Sequence, residues 1–175
     1  THPIVVDTYG VIEKAIINGD GYQSSILLYN DDYISINNLE IFNYNSHLDS
    51  LGNIKLLSGF SGSSNTWGSG KNIRFGIKIV ASSRSLTGFS MNNLKIHNIY
   101  PSPLLSQNIH KGYGIKFETQ SDTVNSLLNI ISNVEISHSD FSLREGHRRS
   151  HRETHKAERQ TTCELSVHCN DQRAQ

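Results

Sequence analysis

Three copies of one short pattern recur along the chain, and this repeat constrains the fold more than any other feature of the sequence. The copies lie at 36–41, 91–96 and 131–136, and each places an asparagine before an apolar, a polar and an isoleucine residue. A second matching element precedes each copy, at 25–28, 76–79 and 114–117. Apolar and polar residues alternate over these short stretches, and this alternation predicts β-strands. Internal repeats of short strands are typical of solenoids.

Each repeat contains three predicted strands. The predicted strands are 25–28, 33–36 and 39–42, then 75–80, 88–91 and 94–97, then 113–118, 128–131 and 134–137. Three strands per repeat with the same inward positions predict an all-β, parallel β-solenoid. An antiparallel sandwich of many short strands remains the alternative.

In a parallel solenoid, equivalent residues of successive coils stack into ladders about 4.8 Å apart. The repeat predicts four inward apolar ladders, which are Ile26/Ile77/Ile115, Leu28/Ile79/Phe117, Leu39/Leu94/Val134 and Ile41/Ile96/Ile136. It also places Asn38, Asn93 and Asn133 at one tight turn. Asparagine tolerates the left-handed conformation of such turns, and stacked amides can hydrogen-bond along the solenoid.

The composition changes abruptly near residue 142. Residues 143–175 contain no Ile, Phe or Tyr but hold six of the eight arginines. So few large apolar residues cannot offset the entropy of ordering this segment. We therefore predict a β-helix domain over 1–142 and an unpacked, Arg/His-rich tail over 143–175, which is either a disordered basic tail or the product of a frame shift.

Five segments carry a resemblance to a known group of proteins. They are Val-Val-Asp-Thr-Tyr-Gly at 5–10, Ile-Asn-Gly-Asp-Gly at 17–21, the strand region 33–43, Ile-His-Asn at 96–98 and Gly-Tyr-Gly-Ile at 112–115. Residues 4–138 thereby resemble the right-handed parallel β-helix proteins of the pectin-lyase-like superfold, in particular secreted bacterial members that act on polysaccharides. The resemblance implies a right-handed parallel β-helix, of which about three to four coils are visible in the repeats of this sequence. Typical members have more coils, so a fragment of a longer protein is expected.

Strand parity suggests a cationic surface on the first strand of each repeat. With Ile77 and Ile79 inward, alternation turns the following residues outward: Arg74, Gly76, Lys78, Gly112, Gly114, Lys116 and Glu118. Arg74, Lys78 and Lys116 are the candidate catalytic cations, because such groups bind an anionic sugar and stabilise a developing enolate. Lys111 and Glu118 are candidate substrate-binding neighbours. The alternative is a pair of solvated lysines. In either case, the outward position of both side chains predicts that their joint replacement by alanine changes stability by no more than about 0.5 kcal/mol.

Two further residues are candidates for carbohydrate chemistry. His97 faces outward on the third strand and could act as a general base. Trp67, the only tryptophan, lies in a Gly/Ser-rich insert and could stack on a sugar, or could simply cover the solenoid. Glu40, Lys95 and Glu135 form a predicted ladder of alternating charge, which is better explained by strand stabilisation than by catalysis.

No metal site or cofactor is predicted. Asp31 and Asp32 lack the further oxygen ligands that a calcium site needs. The sixteen basic residues balance the sixteen acidic ones, and no long apolar run is present, so neither nucleic acid nor a membrane is an expected partner.

Taken with the resemblance, these features predict a secreted carbohydrate-active β-helix protein. It would be a polysaccharide lyase or glycoside hydrolase acting on an anionic polysaccharide, or a fragment of one. A non-catalytic glycan-binding or adhesive solenoid is the alternative, so enzymatic activity is left open. The expected location is extracellular, periplasmic or the cell surface, and the expected state is a monomer with a polysaccharide as its partner.

Overall fold

The chain is described from a computed structural model. The structure describes residues 3–10, 13–44, 47, 49–51, 57, 73–100, 111–120, 129–142 and 166–169, with only the backbone of Lys111 and of 166–169. The described residues form β-strands and no helix. The strands are β1 (Ile4–Val6), β2 (Ala15–Asn18), β3 (Ser24–Tyr29), β4 (Ile34–Asn37), β5 (Leu39–Asn43), β6 (Ile73–Ala81), β7 (Leu86–Asn92), β8 (Lys95–Ile99), β9 (Lys111–Thr119), β10 (Ile131–Ser137), β11 (Asp140–Ser142) and β12 (Ser166–Cys169).

The strands form three parallel sheets, and each sheet takes every third strand of the chain. The first sheet has the order β1-β4-β7-β10, the second β11-β8-β5-β2 and the third β12-β9-β6-β3. The strand pairs within the described residues are parallel. This arrangement is compatible with a β-solenoid and contradicts the antiparallel sandwich.

The apolar core lies between the three sheets and follows two of the predicted ladders. Ile26 pairs with Ile77 and Ile77 with Ile115, while Leu28, Ile79 and Phe117 form the next rung. Ile77 and Ile79 are completely buried. The inward positions predicted for the third sheet are therefore confirmed.

The predicted alignment of the third repeat with the second is wrong by five residues. Val134 pairs with Phe89 instead of Leu94, and Ile136 pairs with Met91 instead of Ile96. The predicted strands 128–131 and 134–137 are replaced by the single strand β10, and the third strand of this coil is β11. Phe141 is the residue that stands beside Ile96.

The error arises because each coil has two left-handed turn positions, five residues apart. Asn38 and Asn93 both have the predicted positive φ, and the register carries this turn on to His138. Asn133 also has a positive φ, but it belongs to the other turn, level with Gly88. An asparagine at either turn suits the left-handed conformation, so a match on asparagine alone selects the wrong one.

Within the tail, β12 pairs in parallel with β9. Residues 143–165 and 170–175 lie outside the described residues, so the prediction of an unpacked tail stays a prediction. In the part of the chain that the structure describes, no helix has the length and apolar character needed to span a membrane.

Candidate functional site

A change of parity in β6 turns Arg74 into the molecule rather than out of it. A Cβ placed on Gly76 would lie 2.9 Å from Cγ2 of the core residue Ile96, so Gly76 faces inward, as does Ile77 next to it. Two adjacent inward residues break the alternation, because a regular strand turns successive residues to opposite faces. The outward positions predicted for Arg74, Gly76 and Gly114 are therefore wrong.

Arg74 is fully buried at this corner. Its Nη1 donates to the carbonyl oxygens of Asn43 and Tyr100, each at 3.2 Å. Burial lowers the pKa of the guanidinium to about 10, and the charge of Asp20 opposes this shift. A buried cation that bonds the backbone of two neighbouring coils holds those coils together, so we withdraw Arg74 as a candidate for contact with substrate.

Lys78 and Lys116 are adjacent on the outer face of the third sheet, as predicted. Both share one carboxylate: Nζ of Lys78 lies 3.2 Å and Nζ of Lys116 lies 4.0 Å from Oε2 of Glu118. The side chains of the two lysines are only 8% and 14% exposed. The alternative of two solvated lysines is therefore wrong, and the pair is partly neutralised by Glu118.

Aromatic rings complete the surroundings of these lysines. Nζ of Lys78 lies 4.9 Å from the centre of the Phe75 ring, and Nζ of Lys116 lies 5.6 Å from that of Tyr113. The Phe75 and Tyr113 rings stack at 5.5 Å. Burial lowers the pKa of Lys78, Glu118 opposes this shift and Lys116 adds to it. Replacing both lysines would leave the largely buried carboxylate of Glu118 without a cation, which is costly, so the expectation that both can be replaced at almost no cost no longer follows.

Two predicted binding residues cannot be placed in full. Lys111 begins β9 level with Ile73, and the structure describes its backbone only. Trp67 lies outside the described residues.

A second polar cluster lies on the outer face of the second sheet and contains His97. Oε1 of Glu40 accepts a hydrogen bond from Nζ of Lys95 at 2.9 Å and lies 2.7 Å from Nε2 of His97. The bond from Lys95 is the main cause of a lowered pKa for Glu40, with His97 adding to it and burial opposing it. An ionised Glu40 accepts a hydrogen bond from Nε2–H of His97, and in a neutral imidazole the lone pair then lies on Nδ1. Nδ1 is buried and has no hydrogen-bond partner among the described residues.

His97 also belongs to a row of four neighbouring rings, which we call the ring cluster: His97, Phe42, Tyr44 and Tyr100. The ring centres of Phe42 and Tyr44 are 5.4 Å apart, those of Phe42 and His97 5.6 Å, and those of Tyr44 and Tyr100 6.3 Å. Tyr44 is 42% exposed. The ring cluster therefore offers an accessible aromatic surface next to charged hydrogen-bonding groups.

The predicted charge ladder on this face is correct in sign and wrong in one member. Glu40 is level with Lys95, as predicted, but Asp140 rather than Glu135 follows in the next coil. Glu135 lies in β10, in the first sheet. His97 was predicted as a candidate from the sequence, whereas its bond to Glu40 and the two tyrosines of the ring cluster were not.

Within the described residues, no group of three or more His, Cys, Asp or Glu side chains is arranged to hold a metal ion. No family model, curated protein or solved structure matches the chain. The likeness to pectin-lyase-like proteins therefore depends on the sequence segments and the parallel sheets alone.

Proposed function

We propose that the chain is a polysaccharide-binding, right-handed parallel β-helix of three to four coils that acts outside the cell, in the periplasm or at the cell surface. Each sheet contains every third strand of the chain, and this order supports a chain that winds through the three sheets once per coil. Right-handedness is supported by the strong general preference for right-handed connections between parallel strands. The resemblance to secreted polysaccharide-active proteins supports the location and the class of ligand.

The observation that carries the proposal is the ring cluster. Tyrosine rings present an apolar face to the C–H surface of a sugar, while their hydroxyl groups remain able to hydrogen-bond. Glu40, Lys95 and Asp140 lie in one row on the same outer face, where they supply donors and acceptors for sugar hydroxyls. Lys78 and Lys116 are less suited to this role, because their side chains are only 8% and 14% exposed and already lie beside Glu118.

The test is binding of the purified chain to a panel of pectate, alginate, a sulfated galactan and a neutral β-glucan. We expect at least one of them to retard the protein in affinity electrophoresis. The variant Tyr44→Ala should weaken that binding about 10-fold, which corresponds to the loss of about 1.4 kcal/mol of ring contact. Tyr100→Ala should act in the same direction.

Tyr29→Ala is the matched control, since Tyr29 is also exposed but lies in the third sheet. It should bind as the unmodified protein does. Failure to bind any glycan of the panel, or equal losses in Tyr44→Ala and Tyr29→Ala, would contradict the proposal.

The second candidate is catalysis, as a lyase or glycoside hydrolase on an anionic polysaccharide. It is favoured by the 2.7 Å contact between His97 and Glu40, since a carboxylate that orients a histidine is a common arrangement for a general base. Two features count against it. Nδ1 of His97 is buried. Glu40 and Asp140 are two ladder steps apart, or about 10 Å between backbones, which is wide for a pair of glycosidase carboxylates.

Release of unsaturated sugars or of reducing ends from the same panel, abolished by His97→Gln, would favour the enzyme over the binder.

A further inference from the structure

A third exposed tyrosine lies at the corner that carries the two tyrosines of the ring cluster. The chain turns there from the second sheet to the third, and we call this region the aromatic corner, defined by Tyr22, Tyr44 and Tyr100. Tyr22 lies between β2 and β3, Tyr44 directly follows β5, and Tyr100 directly follows β8. The three residues therefore belong to successive coils. Tyr22 is 46% exposed, slightly more than Tyr44.

The buried side chain of Asn43 fixes Tyr22 next to Tyr44. Asn43 is completely buried. Its Nδ2 donates to the carbonyl oxygen of Tyr22 at 2.7 Å, and its Oδ1 accepts from the N–H of Gly21 at 3.2 Å. Because Asn43 directly precedes Tyr44 in the chain, these two bonds hold the backbone of Tyr22 close to that of Tyr44.

Further bonds hold Tyr100 beside the same residue. The N–H of Tyr100 donates to the carbonyl oxygen of Asn43 at 3.3 Å. Nη1 of Arg74 donates to the carbonyl oxygens of both residues, each at 3.2 Å. The backbones of the aromatic corner are thus joined by hydrogen bonds across three coils. Rings that are carried on a fixed backbone lose less freedom when a ligand binds.

The aromatic corner is longer than the contact surface of one sugar. Neighbouring strands of a sheet are about 4.8 Å apart, so the coils that carry Tyr22 and Tyr100 are about 10 Å apart. The corner runs from coil to coil, which is across the strands and not along them. A single sugar ring is too small to contact both ends, whereas a chain of sugars can do so.

Polar groups lie next to Tyr22, as they do next to the ring cluster. Nε2 of His47 lies 3.0 Å from the carbonyl oxygen of Asp20 and 3.0 Å from its Oδ2. The side chains of His47 and Asp20 are 44% and 52% exposed. Sugar hydroxyls both donate and accept hydrogen bonds, so they can donate to the carboxylate of Asp20. An accessible ring beside a few polar groups is suited to a sugar at this position.

We propose that Tyr22 is a further glycan-binding residue, and that the bound polysaccharide crosses the strands along the aromatic corner with one sugar unit near each tyrosine. This inference rests on the proposed function, because it assigns the direction and the minimum length of the ligand at the same site. A glycan that ran along the strands would extend from Tyr44 towards Phe42 and would not reach Tyr22.

The first test removes a ring that lies outside the ring cluster. Tyr22→Ala should weaken, about 5-fold in affinity electrophoresis, the binding of each polysaccharide of the panel that the unmodified chain binds. Tyr22→Phe retains the ring and should bind nearly as the unmodified chain does. Asn43 bonds the main chain of Tyr22, so both variants keep this bond and should have an unchanged circular dichroism spectrum. Tyr29→Ala, in the neighbouring strand β3, is again the matched control.

The outcomes of this test separate the inference from the proposed function. If Tyr44→Ala bound weakly while Tyr22→Ala bound as well as Tyr29→Ala, the inference would be overturned and the proposed function would stand. If the unmodified chain bound no polysaccharide of the panel, both would be overturned.

The second test uses the unmodified chain, and it covers the case in which Tyr22→Ala fails to fold. Mono-, di-, tri- and hexasaccharide fragments of the bound polysaccharide compete with it for the protein. We expect the trisaccharide to compete about 5-fold more strongly than the disaccharide, and we expect Tyr22→Ala to lose this gain. Equal competition by the disaccharide and the trisaccharide would overturn the inference, since a ligand that spans the aromatic corner needs a sugar at each tyrosine.

Discussion

Gly76→Ala is expected to lower the free energy of unfolding by about 3 kcal/mol. A Cβ at this position would lie 2.6 Å from the carbonyl oxygen of Gly114 and 2.9 Å from Cγ2 of Ile96. The first of these atoms is backbone, so the added methyl group can be accommodated only if two paired strands move apart. Urea unfolding followed by circular dichroism measures the loss.

Gly114→Ala is the matched control, because it adds the same methyl group at the same corner one coil further on. There the nearest atom is Cδ1 of the Phe141 ring, at 2.7 Å, and a side chain can rotate away. We expect a loss of about 1 kcal/mol. Equal and small losses in the two variants would mean that Gly76 does not face the core and that the parity change in β6 is absent.

Arg74→Met is expected to cost about 3 kcal/mol, the second large effect. Methionine fills much of the space but cannot donate to the carbonyl oxygens of Asn43 and Tyr100. The carbonyl oxygen of Asn43 still accepts from the N–H of Tyr100 at 3.3 Å, so the cost falls mainly on the carbonyl oxygen of Tyr100, since a buried acceptor that loses a donor retains the cost of desolvation. The same urea experiment measures this change.

Arg84→Met is the control for a charge of the same type at the surface. Arg84 is about half exposed, and it pairs with Asp32 at 2.6 Å. Exposed ion pairs contribute at most about 1 kcal/mol, so this variant should be nearly as stable as the unmodified protein. If Arg74→Met were no worse than Arg84→Met, the internal position of Arg74 would be wrong.

The first two complete coils could be predicted from the sequence because local pattern and register agree there. Alternation defines the strands, and the ladders Ile26/Ile77 and Leu28/Ile79 follow from the matched repeats. The third coil could not be aligned in this way, since Asn133 and His138 both occupy left-handed turns and only the former is an asparagine. The register of β10 against β7 determines which of the two residues is level with Asn93, and this register is seen only in the folded chain.

The candidate site also has a part that could be predicted from the sequence and a part that could not. The repeat predicts a row of Phe42, His97 and Ser137; the structure confirms the first pair, but Ser142 rather than Ser137 is level with His97. The neighbouring contact of Tyr44 with Tyr100 could not, because a bulge at Asn98 shifts the register by one residue, so that Asn43 pairs with Ile99. The outward position predicted for Gly76 was wrong for a related reason. A glycine permits two adjacent residues to face inward where a larger side chain would collide with its neighbours.

The parallel register underlies the ring cluster and the buried position of Arg74, and one cross-linking measurement tests this register most directly. Ser35 and Ser90 are level with each other on neighbouring strands. Their Cα atoms should be about 4.8 Å apart, within the range that a disulfide spans. Thr87 lies three residues before Ser90, or about 10 Å along the strand.

The measurement is made in a background in which Cys163 and Cys169 are replaced by serine. The pair Ser35→Cys and Ser90→Cys should form an intramolecular disulfide under mild oxidation, detected by mass spectrometry of the monomeric fraction. The pair Ser35→Cys and Thr87→Cys should not. Efficient cross-linking of the Thr87 pair, or none of the Ser90 pair, would contradict the parallel register on which the account depends.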